Sequence, residues 1–139
     1  DAAYPDDGQS LVDHAPFVAM ARHAGKVVDG IELVLFPGTD PLGFYGVTDP
    51  HTIEWMKTRL TPHPWKCFKQ KLHLANEAAM RALPESHIIC TSTIPGRDID
   101  RLMACSQGRV WDIDTGHDLM LTEPEWVTDR LLDVAATMD

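Results

Sequence analysis

The sequence has no uninterrupted apolar run long enough to cross a bilayer as a helix. Cationic side chains are scarce as well: 12 Lys and Arg stand against 21 Asp and Glu, for a net charge of −9. That balance argues against a nucleic-acid backbone as partner, because phosphate contacts need clustered Lys and Arg. Cysteine is limited to Cys67, Cys90 and Cys105. The three lack metal-ligand spacing and cannot all pair internally, so they read as buried or free thiols of a reducing, cytoplasmic compartment. His51 and His63 lie in proline-flanked loops without a partner at ligand spacing, and neither a metal nor another cofactor is expected. No secretory or charged targeting segment is visible. An initiator methionine is missing too. The sequence opens on Asp1 and runs at once into Pro5-Asp6-Asp7-Gly8, which is turn chemistry. The expectation is a polypeptide that has lost what preceded it, by processing or splitting, or simply a trimmed chain.

What is present suits one ordinary domain: 139 residues, 44% hydrophobic. From Asp7 to Gly25 a helical pattern places Leu11, Val12, Phe17, Met20, Ala21 and Ala24 on one face. Lys26 to Leu35 reads as a short strand or an irregular apolar segment. Residues 37–50 are rich in Gly, Pro and Asp and must be loop, yet they carry Leu42, Phe44, Tyr45 and Val47, so the loop is expected to lie on something apolar. Asp49 as N-cap and Pro50 at the first helical position open a helix running to about Leu60. Thr61-Pro62-His63-Pro64 then forces an extended break. A further helix is expected within 67–83, centred on 76–82.

The texture then changes. His87 to Thr93 is apolar and β-branched and reads as a buried strand. Asp98 to Gln107 reads as a helix with Ile99, Leu102 and Met103 inward, stopped by Gly108. Arg109 to Asp114 is the next strand. Glu123 to Met138 is an amphipathic helix with Val127, Leu131, Val134 and Ala135 on one side. Strand–helix–strand–helix is the signature of a parallel α/β sheet. Two strands cannot make a stable doubly covered sheet, so the rest of it is expected from elsewhere.

Within that last third, the stretch Val110 to Pro124 runs as a strand, turns at Gly116, places His117 just beyond and enters a helix through Thr122 and Pro124. Such an arrangement holds an imidazole at a sheet edge, fixed by backbone and free to exchange protons. An isolated Gly-His pair would also fit a surface histidine in a turn.

The order of these pieces resembles the C-terminal half of an α/β-hydrolase, in the branch of plant hydroxynitrile lyases, methyl-salicylate-type esterases and their bacterial esterase relatives. Asp1 to Ser10 is similar to the end of the family's sixth strand and the entry to its cap. Gly46-Val47-Thr48-Asp49-Pro50, Trp55 and Arg59 to Pro64 resemble the cap helices of bacterial members. Ile88-Ile89-Cys90-Thr91 is similar to the seventh strand, and Thr115-Gly116-His117-Asp118 with Glu123-Pro124 to the eighth strand, catalytic histidine and final helix. The resemblance implies three regions: 1–6 as the end of the sixth strand, 7–84 as a helical cap, and 85–139 as the last strands and helices of the core. The family needs a Gly-x-Ser-x-Gly nucleophile elbow, and this sequence contains none. The implied partner is an N-terminal chain of the same hydrolase that carries the elbow and completes the parallel sheet.

The resemblance makes His117 the general base, taking the serine proton and returning it to the leaving alcohol. The family's acid usually follows the seventh strand, where this sequence has Ser92-Thr93 and no carboxylate. Two candidates remain. Asp1 occupies the end of the sixth strand, where related enzymes such as haloalkane dehalogenases keep their acid. Asp98 lies farther along the loop after the seventh strand and equally suits a helix N-cap. Asp112, Asp114 and Asp118 read as solvent-facing or loop groups. Hydroxynitrile lyases of this branch place a lysine directly after the histidine to bind cyanide, and Asp118 in its place would repel that anion. Ester hydrolysis is thus the implied reaction, on a small apolar ester walled by cap aromatics such as Phe44, with Tyr45, Trp55 and Trp65 as the substrate-binding candidates. These rings could equally bind the cap to the sheet. The rival from another class is a non-catalytic, receptor-like member of the same fold that uses the pocket to bind a ligand. A processed, inactive remnant is a third possibility.

Overall fold

The computed structural model describes residues 2–3, 5–39 and 43–137. In chain order the elements are α1 (Leu11–His14), a 3₁₀ segment (Pro16–Ala24), β1 (Lys26–Val28), β2 (Ile31–Val34), α2 (Pro50–Lys57), β3 (His63–Pro64), α3 (Lys66–Lys69), α4 (Glu77–Arg81) and β4 (His87–Cys90). A second 3₁₀ segment (Thr91–Gly96), α5 (Ile99–Cys105), β5 (Val110–Ile113), α6 (Leu119–Thr122) and α7 (Pro124–Ala136) complete the chain. These fall into two compact units. One holds residues 2–44 and 48–78; the other holds Tyr45–Val47 and everything described from Ala79 onward. Among the described residues, no helix is long and apolar enough to cross a membrane.

The first unit is antiparallel. A capping box opens α1: Asp13 N–H donates to Ser10 Oγ at 3.1 Å and Ser10 N–H donates to Asp13 Oδ2 at 2.9 Å. Pro16 then starts the 3₁₀ segment, in which residues three apart eclipse. Val18 and Ala21 therefore turn inward, while Phe17 and Met20 are 59% and 48% exposed. This corrects the inward placement expected of Phe17 and Met20, while Ala21 is buried and Leu11 and Val12 pack against the core as expected. Lys26 to Leu35 holds a hairpin, β1 paired antiparallel with β2 around Asp29-Gly30. Both turn residues have positive φ, 50° and 78°, as a type I′ turn requires. β3 adds to β2 as an edge strand, where Pro64 costs no central ladder bond. The region 7–84, expected to be a helical cap, thus also contains a three-stranded sheet. The Trp65 and Phe68 rings stack at 5.6 Å and pack with Val18, Ala21 and Val34 into this unit's core. α2 begins as the sequence suggests, with Thr52 N–H donating to Asp49 Oδ2 at 2.7 Å and Pro50 at its first position. It ends at Lys57, short of Leu60.

The second unit is parallel. β4 pairs with β5 in the register His87↔Val110 to Cys90↔Ile113, joined through the 3₁₀ segment and α5. Apolar β-branched side chains suit a strand covered on both faces, and Ile89 and Cys90 are buried. α5 is capped by Asp98, whose Oδ1 accepts Arg101 N–H at 2.9 Å. The helix ends where Gln107 turns left-handed at φ 54° and Gly108 donates its N–H to Met103 O at 2.9 Å, a Schellman-type closure. Leu102 and Leu119 are buried, but Met103, expected inward, is 44% exposed. Leu131 also departs from expectation: at 60% exposed it shares an open surface with Leu132, and no residue of α7 is buried. A two-stranded sheet offers little face for a 13-residue amphipathic helix to cover.

Candidate active site

The carboxyl ends of β4 and β5 lie side by side, because the strands are parallel, and two short loops leave there. They are tied together by side chains. Thr91 Oγ1 donates to Asp114 Oδ1 at 2.8 Å, and Ser92 Oγ donates to the Thr115 carbonyl at 3.4 Å. Thr115 Oγ1 and Thr122 Oγ1 lie 2.6 Å apart and bind the loop to the last turn of α6. His117 sits beyond these contacts, half-buried.

Its seat is set by two glycines. A Cβ on Gly46 would run into Gly116 Cα, and one on Gly116 would fall 2.7 Å from the Tyr45 carbonyl oxygen. The backbones approach so closely that only glycine fits at either place. Asp118 N–H donates to the same Tyr45 carbonyl at 3.2 Å, which completes the clasp. Tyr45 itself has φ 52°, a left-handed conformation unusual for a residue with a Cβ and costing about 1 kcal/mol. Its ring lies 5.7 Å from the imidazole, tilted by 46°.

The electrostatics favour a neutral imidazole. Burial lowers the His117 pKa below its ordinary 6.5; the Asp118 carboxylate works against this, and the Arg97 guanidinium adds to the lowering. Asp118 is raised above 3.8, chiefly by its own burial and against the pull of His117. Burial also lowers Arg97. A neutral, positioned imidazole can accept a proton near pH 7, as a general base must.

The expected site residues are distributed unevenly. His117 and Tyr45 come together. Asp1 lies outside the described residues. Asp98 serves α5 as its N-cap, an exposed role that accounts for its presence. Trp65 is 5% exposed inside the core of the antiparallel unit, and Arg22 lies 5.6 Å over its ring, so packing, the alternative role of these rings, accounts for it. Trp55 is 47% exposed on α2 with the Arg59 guanidinium 4.4 Å over its face. Asp112 and Asp114 are exposed as expected; Asp118 lies in the loop before α6, as expected, but is half-buried rather than solvent-facing. Asp118 and Arg97 are the charges that sequence reasoning missed; only the proximity of Asp118 to His117 in the chain hinted at either. Ser92 and Thr93 hold the turn after β4 with hydroxyl bonds, Thr93 Oγ1 donating to Cys90 O at 3.0 Å. No family model matches the chain, and neither a curated protein nor a solved structure does.

Proposed function

We propose that the chain is the C-terminal part of an α/β-hydrolase and supplies the general base for hydrolysis of a small apolar carboxylic ester. One observation carries this reading: His117 is half-buried, biased to its neutral form and clasped by Gly46 and Gly116 just past the carboxyl end of a parallel strand. Ligands of open α/β sheets bind outside the carboxyl ends of their strands. His117 takes the proton of a serine on the polypeptide that carries the Gly-x-Ser-x-Gly elbow. The alkoxide attacks the ester carbonyl, and the imidazolium then protonates the departing alcohol. Water repeats the cycle on the acyl-enzyme. Asp1 is the proposed orienting acid, since Asp98 is occupied as a cap. Tyr45 supplies aromatic surface at the imidazole for the acyl or aryl group.

The test uses this chain together with the polypeptide that carries its nucleophile. Hydrolysis of p-nitrophenyl butyrate and labelling by a fluorophosphonate are measured for the unaltered protein and for His117→Ala. The substitution is expected to lower kcat about 10³- to 10⁴-fold with KM little changed. An unchanged kcat sinks the assignment. Ester binding without turnover in the unaltered protein favours the receptor-like alternative instead.

A further inference from the structure

A second cluster of chemical groups lies at the opposite end of the parallel pair. Glu85 sits on the segment leading into β4, His87 is the first residue of β4, and Cys105 is the last residue of α5. His87 Nε2 is 3.3 Å from Glu85 Oε2 and 3.7 Å from Cys105 Sγ, and the three donor atoms all lie within 4.8 Å of one another. Glu85 and His87 side chains are only 12% and 18% exposed. The segment is held firmly: Arg109 Nε donates to the Glu85 carbonyl at 2.9 Å, and His87 N–H donates to the Arg109 carbonyl at 2.9 Å.

The geometry decides what such a trio can do. A nucleophilic thiol relay needs thiol and acid on opposite nitrogens of the imidazole. Here both face the same nitrogen, Nε2. Oxygen, nitrogen and sulfur instead surround one common point. For zinc, bond lengths of about 2.3 Å to sulfur and about 2.0–2.2 Å to nitrogen or oxygen put tetrahedral donors roughly 3.3–3.6 Å apart. The observed 3.3 and 3.7 Å separations fit that polyhedron with little movement.

We propose that Glu85, His87 and Cys105 form a binding site for a divalent transition-metal ion of the zinc class, with a fourth position open to water or another ligand. The borderline-soft mixture of thiolate, imidazole and carboxylate suits Zn²⁺ over Mg²⁺ or Ca²⁺, which prefer oxygen alone. Binding replaces the thiol proton, which passes to solvent: Cys105–SH and M²⁺ give Cys105–S–M⁺ and H⁺. Burial holds the thiol above its ordinary pKa, and a hydrogen bond to Glu85 holds it higher still, so without metal it keeps that proton. Arg101 exerts a smaller opposing pull. Since His117 lies past the carboxyl end of β5 and this trio at the amino end of β4, the metal acts as a clip joining β4 to α5, apart from the proposed hydrolytic centre.

The test titrates Zn²⁺ and Co²⁺ alone into the full chain freed of metal by chelation. The expected result is one ion per chain, release of about one proton near neutral pH, and a thiolate-to-Co²⁺ charge-transfer absorption. Cys105→Ser and His87→Gln should each remove that absorption or weaken binding by about 100-fold. Cys67→Ser, at an exposed thiol, should change neither. Should a variant misfold, Zn²⁺ protection of Cys105 from alkylation in the unaltered chain gives the answer. A Co²⁺ spectrum without thiolate character, or alkylation of Cys105 at equal rates with and without Zn²⁺, overturns the proposal.

Discussion

Titratable groups are displaced from their ordinary pKa values for different reasons in the two units. In the antiparallel unit the displaced groups lie on the surface, and local bonds displace them: Asp13 by Ser10, Arg22 by Glu32, Asp49 by Thr52. In the parallel unit Arg97, Cys105, His117 and Asp118 are all displaced first by burial. Removing a charge from water is unfavourable, so burial pushes each of the four toward its neutral form. The antiparallel unit fills its interior with Trp65, Phe68, Val18, Ala21 and Val34 instead. One unit is built for packing, and the other holds its chemistry half out of water.

Trp65→Ala probes that contrast most severely. It empties the stacked centre of the antiparallel core and should destabilise that unit by about 3–5 kcal/mol. Chemical denaturation reads the loss, and hydrogen exchange of β1–β3 amides should locate it. A loss under about 1 kcal/mol would mean the interior is not closely packed.

Gly116→Ala is a smaller disturbance in the parallel unit. Its methyl group would meet backbone at Tyr45 and Gly46, which cannot rotate away. We expect a cost of roughly 1–3 kcal/mol and a displaced imidazole. Loss of contacts between the Tyr45 ring and His117 in NMR spectra would report the displacement. A variant with unaltered stability and spectra would remove the glycine clasp from the account.

The smallest expected effect is a pH dependence. His117 has a folded pKa below its unfolded 6.5, so the unfolded chain binds more protons in that window. Stability from this group is complete above pH 6.5 and falls as pH drops through the folded value. Asp118 has the opposite sign: its raised pKa favours the folded state below 3.8, and that gain disappears as pH rises through the folded value. The difference in thermal midpoint between the unaltered chain and His117→Gln should therefore change as pH falls below 6.5. A difference independent of pH would show that burial does not disfavour the imidazolium.

Much of the local structure was legible. Asp49-Pro50 announced α2, Gly108 stopped α5, and the apolar runs at 87–90 and 110–113 announced the parallel strands. The 3₁₀ face at Val18 was not, because a change from 3.6 to three residues per turn moves Phe17 and Met20 outward without changing composition. The Asp29-Gly30 turn carried a readable signal that an apolar reading of its flanks obscured. At the candidate active site His117 was legible from its strand–glycine–helix surroundings, whereas the burial of Asp118 and Arg97 follows from neighbours distant in the chain.

By itself the sequence determined which segments cap, turn and extend, since those depend on residues within three or four positions of one another. It also determined that a histidine would follow the last strand. Only tertiary structure decided that Gly46 meets Gly116 across 70 positions, and that Glu85 and His87 meet Cys105 across a strand and a helix. Spacing along the chain carries no record of such meetings. They arise when two strands align in parallel and the connection between them folds back, bringing donors to one point that no local pattern marks.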